Sequence, residues 1–531
     1  MTRSVTPEAV KEMIRGDGEL AILDVREEGE FTEGHLLLAC NVPISRFELL
    51  VRDLVPRHDV PVVLCDDGEG LVERAAALLE DAGYTDVAVL AGGVSGWRAA
   101  GFVVFTGVNV PSKAFGEFVE HEYHTPNISA EDLKAKMDAG EKIVVLDSRP
   151  MDEFSNMSIP TGIDVPGAEL AYRVHDLAPD PDTTVVVNCA GRTRSIIGAQ
   201  SLINAGIPNK VFALRNGTMG WHLAGFKLER GQTRKYPDGN PQAVDKALDV
   251  ARRVGDRYRI ERIDRAGVDT FRKDAGRSLF LLDVRSPQEF HQGHLPGSVS
   301  APGGQLVQAT DKYIGVLRPR VVLIDDTGVR ATMTAHWLKQ MGFEDVFILS
   351  GSLDGALETG QRHAALPELD RVDVEALAPR DLKELLDAKQ AAILDVGLSK
   401  AFRAGHIEGS LWGVRSRLER LRDRLPDSGL LVIVDESDQG LARLAVPEVR
   451  GLTSGEVKVL GGGKQAWKAA GYSLKADRTT PTDEECIDFA LRAYDRNSQQ
   501  EEKMNEYLTW EVNLVNQIEE DRDVRFRARV D

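Results

Sequence analysis

Cysteine is scarce in this chain, with 4 residues among 531. So few thiols do not build a disulfide framework, and they fit a reducing compartment, so we expect a cytoplasmic protein. Excess positive charge is also lacking, because the formal net charge is −19 at pH 7. A chain this acidic is not expected to bind nucleic acid or an anionic membrane surface.

Long apolar runs are absent as well. The first residues, MTRSVTPEAVKEM, have no apolar core of the kind found in signal peptides, and no stretch reaches the length of a membrane span. The composition is 42% hydrophobic and 28% charged, which is ordinary for globular proteins. At this length we expect several domains.

An internal repeat organises the chain. One block, LDVREEGEFTEGHLLLACNVP, begins at Leu23, and a second, VAVLAGGVSGWRAAGF, begins at Val87; each recurs three times. The recurrences of the first block lie at 146–166, 282–302 and 394–414, and those of the second at 211–226, 346–357 and 457–472. Their spacing is that of a small domain, which predicts four tandem copies of one domain, named here copy 1 to copy 4.

Within each copy, short apolar segments alternate with helical ones. In copy 2 the order is KIVVLDSR, AELAYRVHDL, TVVVNC, SIIGAQSLINAG and KVFALRNG. This alternation predicts an α/β domain with a small parallel sheet covered by helices. Ligands of such sheets bind at the carboxyl ends of the strands. Cys189 and Arg149 each follow a predicted strand, so we expect them to share a site.

Cys189 is the candidate nucleophile. It opens a short loop between the strand VVVN and a helix, and this loop carries Arg192, Thr193, Arg194 and Ser195. Loop N–H groups and a helix N-terminus favour negative charge, so with two arginines nearby we expect a thiol pKa below the free value of about 8.5. The alternative is an inert buried cysteine, because free cysteine is among the most buried residue types.

The other three copies have aspartate where copy 2 has Cys189. Counting back 17 residues from the glycine that ends the following helix gives Cys189 in copy 2, and it gives Asp66 and Asp325 in copies 1 and 3. Asp435 is the expected equivalent in copy 4, and Cys65 lies one residue too early. The loops around these aspartates are acidic and would repel an anionic substrate. We therefore expect thiol chemistry in copy 2 alone.

The segments between the copies differ in character. The stretch HEYHTPN at 121–127 has two histidines without further metal ligands nearby, so we expect a solvated linker and no metal site. Residues 231–262 begin as a polar, turn-rich stretch and continue as a helix. This pattern predicts a boundary that divides the chain into two pairs of copies.

The repeat ends before residue 481. Residues 481–531 contain TDEECIDFALRAYDR and EEKMNEYLTWEVNLVNQIEEDRD, which we predict as two helices of a helical tail. Leu508, Val512, Val515 and Ile518 would share one face of the second helix. Such an apolar stripe predicts either docking on the rest of the chain or the seam of a homodimer.

The LDVR…EF…GH block, the cysteine loop and the GG…GW block together resemble the rhodanese family of sulfurtransferases. The resemblance covers residues 1–106, 127–231, 263–362 and 379–478. It implies four tandem rhodanese-like domains, of which the second is catalytic and the other three are inactive.

The resemblance also implies a chemistry. The family's cysteine takes sulfane sulfur from a small-molecule donor as a persulfide and passes it to cyanide or a thiol, which makes Cys189 the implied nucleophile. Thiosulfate, 3-mercaptopyruvate and a protein persulfide remain open as the donor, and no cofactor is implied. Arg149 is the implied substrate contact. The implied persulfide-holding residues are Ala190, Gly191, Arg192, Thr193, Arg194 and Ser195.

Copy 2 departs from the family pattern in one respect. It has Met157 and Ser158 where copies 1 and 3 have a Gly–His pair. We interpret this histidine as part of a turn rather than as an acid or base, so its absence need not disable the domain.

The sequence leaves two alternatives to sulfur transfer. A phosphatase of similar fold needs arginine six positions after the cysteine, and this position is Ser195, with Arg194 one residue early. The loop is therefore too short to wrap a phosphate. The second alternative is a non-catalytic sulfur carrier or interaction scaffold, which steady-state turnover with small thiols would separate from an enzyme.

Overall fold

A computed structural model describes residues 3–351, 353, 357–362, 366–437 and 440–528. It contains four sheets, each of five parallel strands, and in each the order is first, fifth, fourth, second, third strand of that copy. The predicted architecture of four tandem α/β domains is confirmed. Part of the second repeat block of copy 3, at 346–357, lies outside the described residues.

Copies 1 and 2 each contain five strands and five helices, and one helix follows each copy. In copy 1 the strands are β1 (Arg3–Val5), β2 (Ala21–Asp24), β3 (Cys40–Asn41), β4 (Val62–Cys65) and β5 (Val87–Leu90), and the helices are α1 (Pro7–Arg15), α2 (Glu28–Glu33), α3 (Phe47–Leu54), α4 (Leu71–Asp81) and α5 (Gly93–Ala99), followed by α6 (Val110–Tyr123). In copy 2 the strands are β6 (Asn127–Ile128), β7 (Ile143–Asp147), β8 (Ile163–Asp164), β9 (Thr184–Asn188) and β10 (Val211–Leu214), and the helices are α7 (Ala130–Asp138), α8 (Met151–Asn156), α9 (Leu170–Leu177), α10 (Thr193–Ala205) and α11 (Gly217–Leu223), followed by α12 (Pro241–Arg257).

Copies 3 and 4 repeat this pattern, and the tail adds one long helix. In copy 3 the elements are β11 (Glu261–Ile263), α13 (Arg265–Lys273), β12 (Leu279–Asp283), α14 (Pro287–Gln292), β13 (Val299–Ser300), α15 (Gly303–Gln308), β14 (Arg320–Ile324), α16 (Val329–Gln340) and β15 (Val346–Leu349), followed by α17 (Pro367–Asp370). In copy 4 and the tail they are β16 (Ala376–Leu377), α18 (Pro379–Asp387), β17 (Ala391–Asp395), α19 (Ser399–Ala404), β18 (Leu411–Trp412), β19 (Leu430–Val434), α20 (Leu441–Leu444), α21 (Val446–Arg450), β20 (Glu456–Leu460), α22 (Gly463–Ala469) and α23 (Gln500–Asp521).

Copies 1, 2 and 3 share one continuous hydrophobic core, which includes the strand residues Leu64, Val187 and Leu323. The predicted division into two pairs of copies is therefore wrong. Helix α12 forms as expected, but it packs between α9 and α16 and so joins copies 2 and 3. Copy 4 has hydrophobic clusters of its own. It is fastened to copy 1 by the buried guanidinium of Arg415, which donates to Glu48 at 2.8 Å.

The linker between copies 1 and 2 begins with a buried helix that the sequence does not predict, whereas the stretch HEYHTPN at 121–127 is mostly exposed, as expected of a solvated linker. Helix α6 packs against α10 and α23. Phe115 on this helix is fully buried, and a Cβ added at Gly116 would lie 2.8 Å from the Cγ2 of Thr193. The linker therefore contacts the predicted cysteine loop directly.

The tail forms one long helix, not two. Residues 481–492 are irregular, and two of their backbone carbonyls accept hydrogen bonds from other copies. The carbonyl of Ile487 accepts from the N–H of Gly29 at 2.7 Å, and that of Pro481 accepts from the guanidinium of Arg403 at 2.9 Å. Contacts with two domains thus override the helical pattern of this segment.

Helix α23 docks on the chain through a face that differs slightly from the predicted stripe. Leu508 and Ile518 are buried as expected, but Val512 is 43% exposed. The buried residues of the helix are Met504, Leu508, Glu511, Leu514, Ile518 and Asp521. The apolar residues of α23 are buried against the same chain, so a homodimer is not required to bury them. No helix among the described residues is long and apolar enough to cross a membrane.

Candidate active site

Cys189 lies directly after β9, and its loop leads into α10 at Thr193. The thiol is 2% exposed and donates to the hydroxyl of Ser195 at 3.5 Å. That hydroxyl in turn donates to the carbonyl of Arg192 at 2.7 Å. Both the N–H and the hydroxyl of Thr218 donate to the carbonyl of Cys189, at 2.8 and 2.9 Å. The second repeat block of copy 2 therefore fixes the backbone of the cysteine loop through Thr218.

A glycine at the start of α11 permits this close contact. Gly217 has a positive φ of 54°, and a Cβ there would lie 2.4 Å from the carbonyl oxygen of Cys189. Gly93 and Gly463 meet the carbonyls of Asp66 and Asp435 in the same way, at 2.3 and 2.6 Å. Only glycine fits at these positions, which explains the glycine there in the second blocks of copies 1, 2 and 4.

In the other copies the aspartate fills its own loop. The carboxylate of Asp66 accepts the N–H of Leu71 at 2.9 Å. Asp325 accepts the N–H groups of Arg330 and Ala331, at 2.8 and 3.2 Å. Asp435 accepts the N–H of Ala442 at 3.0 Å.

In copy 2 the equivalent positions are Arg194 and Ser195, and of these Ser195 serves the thiol. Both the N–H and the hydroxyl of Ser195 lower the pKa of Cys189. The loop is thus an anion site. In copies 1, 3 and 4 an aspartate carboxylate occupies it, whereas in copy 2 the sulfur of Cys189 lies there.

The pKa of Cys189 is raised, so the expectation of a thiol pKa below the free value is wrong for this arrangement. Complete burial is the largest cause, because it disfavours the thiolate. Arg194 and Ser195 lower the pKa but do not overcome burial, and Glu511 raises it further. In this buried arrangement the thiol is therefore mainly neutral near pH 7.

Arg192 and Arg194 are both held by carboxylates. Arg192 donates to both oxygens of Glu117 on α6 at 2.7 Å. Arg194 donates to Glu153 on α8 at 3.0 and 2.7 Å. Its charge still lowers the pKa of Cys189, whereas Arg192 fixes the loop to the linker helix.

Arg149 does not face the loop as a free cation. It is fully buried and donates to Asp147 at 2.8 Å and to the carbonyl of Met157 at 2.7 Å. Arg26 and Arg285 form the equivalent pair in copies 1 and 3. In copy 4 this position is Gly397. There the ammonium of Lys464 pairs instead with Asp395, the equivalent of Asp147, at 3.0 Å.

The substitution of one cation for another, in a copy without a cysteine, indicates a structural role for this arginine. The placement of Arg149 does not support the expectation that it contacts substrate. Asp147 also accepts from the amide of Asn188, the residue before Cys189, at 2.7 Å. Arg149 therefore reaches the site only through Asp147.

Replacing Arg149 by alanine is expected to lower stability by about 3–5 kcal/mol, because it leaves the buried carboxylate of Asp147 without its partner. Thermal unfolding measures this loss. Arg26→Ala is the matched control, since the same ion pair is broken in a copy whose loop has Asp66 in place of the catalytic cysteine. A large loss of turnover in Arg149→Ala at unchanged melting temperature would restore the substrate-contact assignment.

The histidine of the first block is a structural residue. His35 stacks on Phe31 with ring centroids 3.8 Å apart, and its backbone pairs with Phe105. Ser158 is buried at the same position of copy 2 and forms the same backbone pairing with Glu229. The interpretation of this histidine as part of a turn agrees with these contacts.

The sequence missed the residues that roof the loop. Helix α23 places Tyr507 and Glu511 over Gly191, where an added Cβ would lie 3.1 Å from Cε1 of Tyr507 and 3.2 Å from Oε2 of Glu511. The hydroxyl of Thr193 donates to Glu511 at 2.6 Å. Lys113 on α6 donates to the hydroxyl of Tyr507 at 2.5 Å. Both helices lie outside the repeat, so no repeated motif marks these three side chains.

Comparison with known proteins gives a consistent picture. A family model for the rhodanese-like domain matches residues 6–100, 129–224, 268–358 and 378–470. The crystal structure of a thiosulfate sulfurtransferase from Pseudomonas aeruginosa superposes with a TM-score of 0.92 at 46% identity, covering 99% of this chain and 100% of that one.

Curated relatives match over single domains. An HTH-type transcriptional regulator of Mycobacterium tuberculosis is 32% identical over 104 residues, which are 20% of this chain and 45% of that protein. An uncharacterized protein of Bacillus subtilis is 34% identical over 87 residues, which are 16% of this chain and 68% of that protein. The chain thus spans about half the length of the first of these relatives.

Proposed function

The chain belongs to the rhodanese-like family, and on this premise we propose that it is a thiosulfate sulfurtransferase whose nucleophile is Cys189. The observation that carries the proposal is the cysteine loop of copy 2, in which the thiol lies at an anion site that the other copies fill with aspartate. The likeness to the thiosulfate sulfurtransferase from Pseudomonas aeruginosa, at 46% identity, supports thiosulfate as the donor.

The reaction proceeds in two displacements. The thiolate of Cys189 attacks the sulfane sulfur of thiosulfate, a new S–S bond forms, and the bond to the sulfonate sulfur breaks with its electron pair leaving on sulfite. A thiolate or cyanide then attacks the outer sulfur of the persulfide and releases the Cys189 thiolate. The two steps together need no external oxidant or reductant.

Residues 190–195 would hold the outer sulfur. The N–H groups at the start of α10 and the hydroxyl of Ser195 stabilise a persulfide anion, while Arg194 supplies positive charge from its ion pair with Glu153. Ala190 and Gly191 complete the loop, and Thr193 ties it to the roof through Glu511.

Mass spectrometry after incubation with thiosulfate tests the proposal. We expect one sulfur atom added at Cys189 and none at the other three cysteines, which are all free and buried. Release of that sulfur as thiocyanate over many turnovers distinguishes an enzyme from a sulfur carrier, which would load once and stop. If Cys189 gains sulfur only from 3-mercaptopyruvate or a protein persulfide, the assignment of thiosulfate as the donor is wrong.

The compartment and partners follow from the same chemistry. Four free thiols fit a reducing cytoplasm, and the required partners are a small sulfur donor and a thiol or cyanide acceptor. Nucleic acid and membrane surfaces remain poor partners for a chain of net charge −19.

A further inference from the structure

Lys113 is a buried cation without a carboxylate partner. Lys113 is 4% exposed. Among the described residues, its ammonium forms no ion pair within 4.0 Å. Its ammonium donates to the hydroxyl of Tyr507 at 2.5 Å and lies 4.3 and 4.9 Å from the ring centroids of Tyr507 and Trp510. Burying an ammonium in this way is costly unless something compensates its charge.

The ammonium lies next to the catalytic loop. Tyr507, its hydrogen-bond partner, packs on Gly191. An anionic Cys189 raises the pKa of Lys113, so the two groups are close enough to interact. Glu511, which also packs over Gly191, is 1% exposed, and its Oε2 has no hydrogen-bond partner among the described residues. This corner of the site thus holds two buried, incompletely bonded groups of opposite charge.

The arginines cannot serve the donor in the same way. Arg192 and Arg194 are each held by two bonds to a carboxylate, and Arg149 is fixed inside copy 2. A dianionic donor must lose its hydration when it enters this closed loop, and it needs a cation that is not already neutralised. Lys113 meets this requirement better than the arginines, because Glu511 acts on its charge but forms no ion pair with it among the described residues.

We propose that Lys113 binds the oxyanion end of the sulfur donor, the end that departs as sulfite, and so selects donors with a small anionic leaving group. This inference rests on the proposed sulfurtransferase function and names a residue outside every segment that the family model matches. Binding there would place negative charge between Lys113 and the N–H groups of the loop. When the S–S bond breaks, the electron pair stays on the sulfite that Lys113 holds, and no proton need be transferred.

Burial lowers the pKa of Lys113 to about 8. Other groups that act on it are Glu511 and Cys189, which raise its pKa, and Arg492 and Arg194, which lower it. The protonated fraction falls as pH rises through this value. Because the pKa of Cys189 is raised, its thiolate fraction still grows with pH in this range, so we expect the rise of kcat/KM for thiosulfate to level off above about pH 8. In Lys113→Arg the rise should continue to higher pH, because guanidinium stays charged.

Lys113→Met is expected to lower kcat/KM for thiosulfate about ten- to a hundredfold, mainly through KM, as for loss of a charge-assisted hydrogen bond. Lys113→Arg should recover part of this loss. Lys11→Met is the matched control, because Lys11 is a buried ammonium that pairs with Asp521 at 2.6 Å at the other end of α23. Unchanged KM in Lys113→Met would overturn the inference.

Alkylation of Cys189 gives a readout that does not require turnover. We compare the rates for iodoacetate, which is anionic, and iodoacetamide, which is neutral, by mass spectrometry. Lys113→Met should reduce the iodoacetate-to-iodoacetamide ratio several-fold, whereas Lys11→Met should leave it unchanged. An unchanged ratio in Lys113→Met contradicts the anion site, while turnover that persists without Cys189 contradicts the proposed function instead.

Discussion

Replacing Cys189 by serine will reduce thiosulfate turnover by at least about a thousandfold, because serine cannot form the persulfide through which both displacements run. The substitution changes one atom in a loop whose backbone is fixed by Thr218 and Ser195. Steady-state production of thiocyanate measures the loss, and circular dichroism checks that the fold is kept.

Cys65→Ser is the matched control for this experiment. Cys65 lies at the same end of the equivalent strand in copy 1, but its thiol is fully buried and points to the carbonyl of Leu23 at 3.6 Å. Burial holds its pKa well above the ordinary value, so it has little thiolate. We expect near-normal turnover, and comparable losses from the two substitutions would show that more than one copy is active.

Removing residues 500–531 will expose Cys189 and increase its reactivity. Burial and Glu511 both raise its pKa, and the truncation removes Glu511 together with the roof. Each unit of pKa decrease gives about tenfold more thiolate at neutral pH, so alkylation by iodoacetamide should accelerate at least about tenfold. Glu511→Gln, which keeps the roof, should show a smaller change in the same direction.

The same truncation will lower the melting temperature, because α23 buries Leu508, Leu514 and Ile518 against the chain. Leu514→Ala in the full chain should cost about 2–5 kcal/mol, since this side chain is fully buried. Val512→Ala on the exposed side of the same helix should cost at most about 0.5 kcal/mol. Equal effects of these two substitutions, or unchanged melting after truncation, would contradict the docking.

The predictions that held depend on patterns within short segments. Repeated apolar strands and helices made four parallel sheets predictable, and the 17-residue spacing placed Cys189 and the aspartates of copies 1 and 3 at equivalent loop positions. Helix α23 followed from its length and periodicity. Such features are visible in a sequence because hydrophobic periodicity and glycine turns act over a few residues.

The predictions that failed concern groups whose partners lie far away in the chain. Residues 481–492 were expected to be helical, but copies 1 and 4 bind their backbone. The sequence also does not show that Arg192 pairs with Glu117 on the linker helix. An amphipathic pattern does not reveal which distant surface will bury its apolar face, and a charged residue does not reveal which distant group will pair with it.

The sequence by itself determined four rhodanese-like α/β domains and one strand-end thiol among three aspartates, because each is encoded within a single repeat. Only the tertiary structure decided the state of that thiol. Glu511 lies more than three hundred residues from Gly191 in the chain, yet it packs over this glycine together with Tyr507, to which the buried ammonium of Lys113 donates. Burial and Glu511 together raise the pKa of Cys189. Burial and charge pairing are properties of assembled surfaces, and no local pattern carries them.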